Sequence, residues 1–295
     1  MGSTYPVTRV ALGQCAVEIE CRATELADAL ANLLKDTRAD GGKVQTRFIL
    51  EKTPDDRFNV LRDDSVCYTA KTVGSICTYL VGEIIYHLIE NNSNEVLLHT
   101  ACVRRDGVGM LLPGVSGAGK STMSAWLLSR GFEYLSDELV CLDTNTLEVE
   151  AFTRPLNIKH GGMEAIRCEF GEDFGKNEIL EGAISHLVPH RLLQPNYAGS
   201  RTTINVIVFP KYVSSDDFSL ERLSTAKTAL LLMQTFVNAR NHVEHGFHHI
   251  TALARTVRGY HMHYSNFAQL EALERELTKP TLENPGFLPD RKTVS

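Results

Sequence analysis

Eight consecutive residues constrain this chain more than any other feature. Gly114, Val115, Ser116, Gly117, Ala118, Gly119, Lys120 and Ser121 match G-x-x-x-x-G-K-[ST] at every fixed position. Each residue type has a physical task. Glycines let the backbone turn tightly and aim successive N–H groups inward with no side chain in the way. A helix beginning near Lys120 adds the positive end of its dipole to the same anion site. Lys120 supplies a point charge for β- and γ-phosphates, Ser121 a hydroxyl for Mg²⁺, and Thr122 a weaker further phosphate contact. The flanks agree with the motif. Residues 109–112 read as an apolar strand entering the loop, and Met123, Trp126 and Leu127 mark an amphipathic helix leaving it. The expectation is a nucleoside triphosphate site taking ATP and Mg²⁺.

Around that motif the pattern is α/β. Before it, residues 7–19 alternate as a strand and 24–35 carry a helical apolar face. Residues 44–52 and 56–61 read as strands either side of a Thr53-Pro-Asp-Asp56 turn, and 73–90 as a long apolar helix. The polar run Asn91-Asn-Ser-Asn94 marks the boundary between a small α/β domain (1–94) and a catalytic domain (95–280), with 281–295 as a flexible tail. Residues 96–103 and 108–113 form a hairpin about an Asp-Gly pair, followed by the loop, a helix over 120–129 and a short strand over 132–135. Later strands are expected at 202–209 and 260–264, and helices at 225–239, 249–257 and 265–277.

Composition excludes some partners. A formal charge of −6 argues against nucleic acid, which calls for a basic stripe. No apolar run reaches the roughly 18 to 20 residues that cross a bilayer, and the N-terminus has no secretory pattern, so a soluble cytoplasmic protein is expected. The 7 cysteines are scattered without a Cys-x-x-Cys pair and read as reduced thiols.

A phosphate loop alone does not name a reaction. The guanine-reading Asn-Lys-x-Asp and the transporter signature Leu-Ser-Gly-Gly are both missing from the sequence. Instead Asp137 and Glu138 end the strand that directly follows the loop helix, which returns them beside the phosphates. One carboxylate then holds Mg²⁺ with Ser121 while the other takes a proton from an attacking hydroxyl.

The segments His99-Thr-Ala-Cys-Val103, Gly114 to Ser121, Ser129-Arg-Gly-Phe132, Ser136-Asp-Glu138, Arg154-Pro-Leu-Asn-Ile-Lys159 and Phe209-Pro-Lys-Tyr212 resemble the core of HPr kinase/phosphorylase and of HPr-kinase-like proteins. The resemblance covers about residues 96–270. It implies a P-loop fold shared with phosphoenolpyruvate carboxykinase-type proteins, carrying a small N-terminal α/β domain, and phosphoryl transfer to a serine hydroxyl. It also implies Asp137 as general base, Asp137 and Glu138 beside the metal, His99 near the transferred phosphate and Arg154 facing the phosphates, with Lys159 a weaker candidate. It leaves a homo-oligomer open. In place of the charged, glycine-containing stretch that such kinases carry late in the chain, only Gly199-Ser-Arg201 precedes a strand. HPr itself and a phosphorylase reaction are therefore not carried over. The acceptor is a protein, peptide or small-molecule hydroxyl, and a nucleotide-binding regulator without turnover is the remaining alternative.

Other residues carry less. Lys211 fits a structural or acceptor-side role. His242, His245, His248 and His249 are dense enough for zinc, but Gly246 interrupts them and a polar helix junction is preferred. His261 and His263 share one face of a strand without needing a metal.

Overall fold

Residues 7–19 alternate as one strand would, yet Gly13, at φ 56°, turns them into a hairpin. In the computed structural model, which describes residues 5–37, 41–195, 199, 201–215 and 217–277, β1 (Val7–Leu12) pairs antiparallel with β2 (Cys15–Cys21). α1 (Thr24–Leu33) buries Leu26, Leu30 and Leu33 along one face. β3 (Lys43–Lys52) runs parallel to β2, and β4 (Phe58–Arg62) and β5 (Ser65–Ala70) continue antiparallel in the order β1-β2-β3-β4-β5. The sequence reading missed β5. Its turn uses Asp63 and Asp64, both at positive φ, where an Asp-Gly or Asn-Gly pair is the recognisable signal. α2 (Val73–Glu90) spans the expected residues and is capped by Thr72, whose hydroxyl accepts from the Ser75 N–H. Its Ile76, Leu80, Ile84 and Leu88 pack with Val17, Ile19, Phe48 and Leu50 of the sheet, and Leu97, Leu139 and Leu187 join the same interior.

β6 (Val96–Arg105) and β7 (Val108–Pro113) form the expected hairpin, with Asp106 and Gly107 both at positive φ. α3 (Lys120–Ser129), β8 (Glu133–Ser136), β9 (Leu139–Leu142) and β10 (Glu148–Ala151) follow. Then come β11 (Leu156–Lys159), α4 (His160–Phe170), β12 (Leu180–Glu181) and β13 (Ser185–Val188), the three strands forming a small sheet with β13 central. The chain continues through β14 (Arg201–Tyr212), β15 (Ser219–Arg222), α5 (Thr225–Met233), α6 (Phe247–Thr256), β16 (Arg258–Tyr264) and α7 (Phe267–Leu277).

The large sheet runs β10-β9-β6-β7-β14-β16-β15, with β8 also on β6. β10 bonds the start of β14 as well as β9, so five strands close into a ring. Both faces are covered. Val103, Met110, Leu112, Val206 and Val208 pack under α3, α4 and α7, while Cys102, Leu111, Ile204 and Ile207 pack under α5 and α6. The helix expected over 225–239 stops at Met233 because the following residues serve β6 instead: Thr235 and Phe236 lie against His99 and Leu98. α3 is not amphipathic; Met123 through Leu128 are all buried, enclosed by the sheet and α4. α4 and the small sheet were not foreseen. Among the described residues no helix is long and apolar enough to cross a membrane, and the cysteines are free. The tail assigned to 281–295 lies outside the described residues.

Candidate phosphate-binding and acid–base site

β7 delivers the chain into the loop and α3 carries it away, as the motif requires. Gly117 and Gly119 take φ 89° and 90°, a conformation costly for residues with a Cβ. Gly119 is required twice over: a Cβ there would lie 2.0 Å from the Tyr264 hydroxyl. That hydroxyl donates to the Gly119 carbonyl at 3.1 Å, and the Tyr212 N–H donates to the Ala118 carbonyl at 3.3 Å, so β16 and β14 hold the loop from behind. Val115, Ser116 and Gly117 are exposed at the rim. Ser121 and Thr122 open α3, where a Cβ on Gly162 of α4 would come within 2.5 Å of the Thr122 hydroxyl.

Lys120 is 7% exposed, and its Nζ donates to the Gly114 carbonyl at 2.6 Å. Burial lowers its pKa, against the pull of Asp137 and Glu138. The Nζ also stands 3.3 Å from His99 Nε2, and His99 Nδ1 stands 3.1 Å from Glu138 Oε1. An ammonium can only donate, so His99 accepts from Lys120 at Nε2 and donates to Glu138 from Nδ1. The other Glu138 oxygen accepts from the Arg154 guanidinium. One unbroken chain of polar contacts thus links Lys120, His99, Glu138 and Arg154.

The carboxylates reach this place through a break in the β6 ladder. β8 and β9 pair in succession along the same edge of β6, Ser136 opposite Cys102 and Leu139 opposite His99, and residues 137–138 bulge between them. The Ser136 hydroxyl organises the bulge by accepting the N–H groups of Glu138 and Leu139 and donating to the Leu139 carbonyl at 2.8 Å. On the neighbouring strand pair Thr100 stands opposite Pro113, so the bulge and the start of the loop sit at one level of the sheet.

The two carboxylates differ sharply. Asp137 is 2% exposed, and burial pushes its pKa up to about 6 despite the Arg154 charge 4.0 Å away. Its Oδ2 accepts the Asn157 N–H at 2.9 Å. Among the described residues its Oδ1 meets no partner at good hydrogen-bond geometry, although the Ser121 hydroxyl is near enough to favour the charged form. Burial also opposes ionisation of Glu138, but Arg154, His99 and Lys120 outweigh it and hold the pKa at about 2. One acid titrates near neutrality and its neighbour stays ionised.

Arg154, expected to face the phosphates, is buried beside the acidic pair. It is 2% exposed, and Tyr134 donates to its carbonyl at 2.8 Å, so it fixes Glu138 from below the site. Lys159 reaches the loop, donating to the Ser116 hydroxyl at 2.9 Å. Lys211 is exposed at the end of β14. Among the described residues the histidines over 242–249 do not gather around a metal position: His242 lies 3.0 Å from the Glu95 carbonyl, and the His248 and His249 rings meet at a tilt of 45°. His261 and His263 contact each other along β16. Sequence reasoning missed Ser136 as organiser of the bulge, Asn157 as a donor to Asp137, and Tyr264. Asn157 sat within the Arg154-to-Lys159 segment already singled out; nothing in the sequence ties Tyr264 to Gly119.

No family model matches the chain. A curated HPr kinase/phosphorylase from Leptothrix cholodnii is 28% identical over 154 residues, covering 49% of this chain and 46% of that protein. One from Clostridium botulinum is 35% identical over 120 residues, covering 39% and 38%. A putative HPr kinase/phosphorylase 2 from Oceanobacillus iheyensis is 32% identical over 62 residues, covering 21% and 20%. The chain is similar to HPr kinase/phosphorylases, and the matches span less than half the length of these relatives. A solved Hpr(Ser) kinase/phosphatase from Coxiella burnetii overlaps 61% of this chain and 92% of its own, with TM-score 0.32 and 12% identity, a likeness too loose to carry an argument.

Proposed function

We propose that the chain is a soluble, cytoplasmic, Mg²⁺-dependent kinase that moves the γ-phosphoryl group of ATP to a hydroxyl, with a serine of a protein or peptide as the acceptor. The observation that carries this reading is Asp137, a buried carboxyl with a free oxygen and a pKa of about 6, set level with the mouth of a phosphate loop. Similarity to kinases that act on a protein, HPr, favours a macromolecular acceptor over a small alcohol. On this reading residues 95–280 are the catalytic domain and 1–94 a small domain beside it.

The residues fit the ligands. Left-handed Gly117 and Gly119 leave backbone N–H groups and the α3 N-terminus for phosphate oxygens. Ser121, Asp137 and Glu138 supply the hard oxygen donors that suit Mg²⁺, which would add charge neutralisation on the phosphates. Lys120 neutralises the phosphoryl oxygens at short range, and its low exposure strengthens that interaction. His99, Glu138 and Arg154 keep Lys120 in place. Asp137 orients the acceptor hydroxyl and takes its proton as the oxygen bonds to the γ-phosphorus. The bond from that phosphorus to the bridging oxygen breaks, releasing a nucleoside diphosphate. A carboxyl with a pKa near 6 is ionised at neutral pH and basic enough to accept that proton.

Incubation with γ-labelled ATP, Mg²⁺ and candidate acceptors, protein fractions and small alcohols in parallel, tests the reading. Label is expected on a protein serine, in a reaction that stops when Asp137 is replaced. Nucleotide binding with neither transfer nor hydrolysis would assign a regulator instead.

A further inference from the structure

We infer that His160, Glu181 and His186 form a second cation site, for a divalent transition metal of the Zn²⁺ class, where the β12–β13 hairpin meets the start of α4. Each residue offers one ligand atom, and the three atoms lie within 4.8 Å of one another. Backbone pairing makes the cluster. His186 sits opposite Ile158 on β11 and Glu181 on β12, and His160 is the first residue of α4, directly after β11. The two imidazoles meet edge to face with centroids 5.0 Å apart. His186 is 5% exposed, and its Nδ1 is buried without a partner at good hydrogen-bond geometry among the described residues, although the Ile158 backbone lies close to the ring. A buried ring nitrogen lacking a partner is costly unless something occupies its lone pair.

The donor set selects the ion. Two imidazoles and one carboxylate suit Zn²⁺ and its borderline neighbours, whereas Mg²⁺ and Ca²⁺ call for oxygen alone. Three protein ligands leave a fourth tetrahedral position to water. His160 Nε2 lies 3.4 Å from the Ala183 carbonyl, the kind of contact that orients a ligating ring through its other nitrogen. The hairpin is pinned from behind: a Cβ on Gly74 of α2 would fall 2.0 Å from the Glu181 carbonyl.

The position suggests what the ion does. Lys159, immediately before His160, is the residue that donates to Ser116 of the phosphate loop, and it pairs with Ser185 beside His186. A bound ion ties that segment to the hairpin and fixes Lys159 against the loop. The site is a positioning device separate from the Ser121–Asp137–Glu138 donors, and it does not depend on the kinase reading.

The full chain, stripped with a chelator, is titrated calorimetrically with Zn²⁺ and, in parallel, with Co²⁺ followed by visible absorption. About one equivalent of each is expected, with intense tetrahedral Co²⁺ bands. His160→Ala and Glu181→Gln each alter an exposed side chain, so folding is retained, and each is expected to weaken uptake at least tenfold and to remove the Zn²⁺-induced rise in melting temperature. Lys120→Ala is expected to bind Zn²⁺ as the unaltered chain does, which separates this site from the nucleotide site. Absence of Zn²⁺ uptake by the unaltered chain, or undiminished uptake by His160→Ala, overturns the inference.

Discussion

The interior beneath α2 and the cleft at the end of β8 are both buried, and they are built from opposite materials. Under α2 the contacts are Leu, Ile, Val and Phe, with charges such as Arg47, Lys52 and Asp56 left at the solvent edge. At the end of β8, Lys120, Asp137 and Arg154 are each less than one tenth exposed and stand in one connected group with His99 and Glu138. The first arrangement stabilises the fold through area removed from water. The second opposes folding, because desolvated charge is compensated only while every partner is in place. On the proposed reading, stability and chemistry are therefore separable by substitution in this molecule.

The sharpest separation is Lys120→Ala. It is expected to reduce phosphoryl transfer on the order of 10³-fold and to weaken nucleotide binding while the chain stays folded, read by label transfer and calorimetry. Wild-type transfer in this variant would erase the functional side of the contrast. Asp137→Asn comes next, with transfer down about 10²- to 10⁴-fold and nucleotide binding kept.

The same Asp137→Asn change is expected to raise stability at pH 7. An acid whose folded pKa is raised to about 6 favours the folded state fully only below its unfolded value near 4, and that contribution is lost as pH climbs through 6. At pH 7 the ionised side chain costs about 3 kcal/mol, which asparagine removes. The melting temperature of the variant should exceed that of the unaltered chain at pH 7 and match it near pH 4. Glu138 works with the opposite sign. Held at about 2, it stabilises above its unfolded range and loses that contribution on acidification. Equal melting temperatures at pH 7 would mean that Asp137 is not destabilised by its surroundings.

Arg154→Met takes the guanidinium away from buried Asp137 and half-buried Glu138 and is expected to cost about 3–5 kcal/mol in denaturant unfolding. Leu80→Ala, in the fully buried interior under α2, should cost about 2–5 kcal/mol yet leave turnover at a permissive temperature unchanged. A turnover defect there would couple the two regions. Lys52→Gln, at an ion pair open to water, is expected to change neither melting temperature nor activity.

Legibility followed the range of the interaction. Gly114 to Ser121 declared the loop because each position has a local backbone or charge requirement, and α2 was readable over its full length because its apolar pattern is local. The hairpin at Gly13 and the strand β5 were not, since alternation says nothing about where a strand reverses. Residues 234–239 were read as helix by local pattern, and pairing with β6 overrode it. The zinc question shows the same limit. The conspicuous histidines over 242–249 touch ring to ring without bringing three ligand atoms together, while His160 and His186, far apart in the chain, converge with Glu181.

By itself the sequence determined a glycine-rich loop of the phosphate-binding pattern between a strand and a helix, an acidic pair after the next strand, and an α/β chain able to bury a core, because these follow from residue type and spacing. Only the tertiary structure decided that Arg154 lies beneath the acidic pair and not on the surface, that Asp137 and Glu138 titrate at opposite ends of the scale, and that Lys159 touches the loop. Those properties depend on which groups surround a charge and how much water reaches it, and neither quantity exists until distant segments pack together.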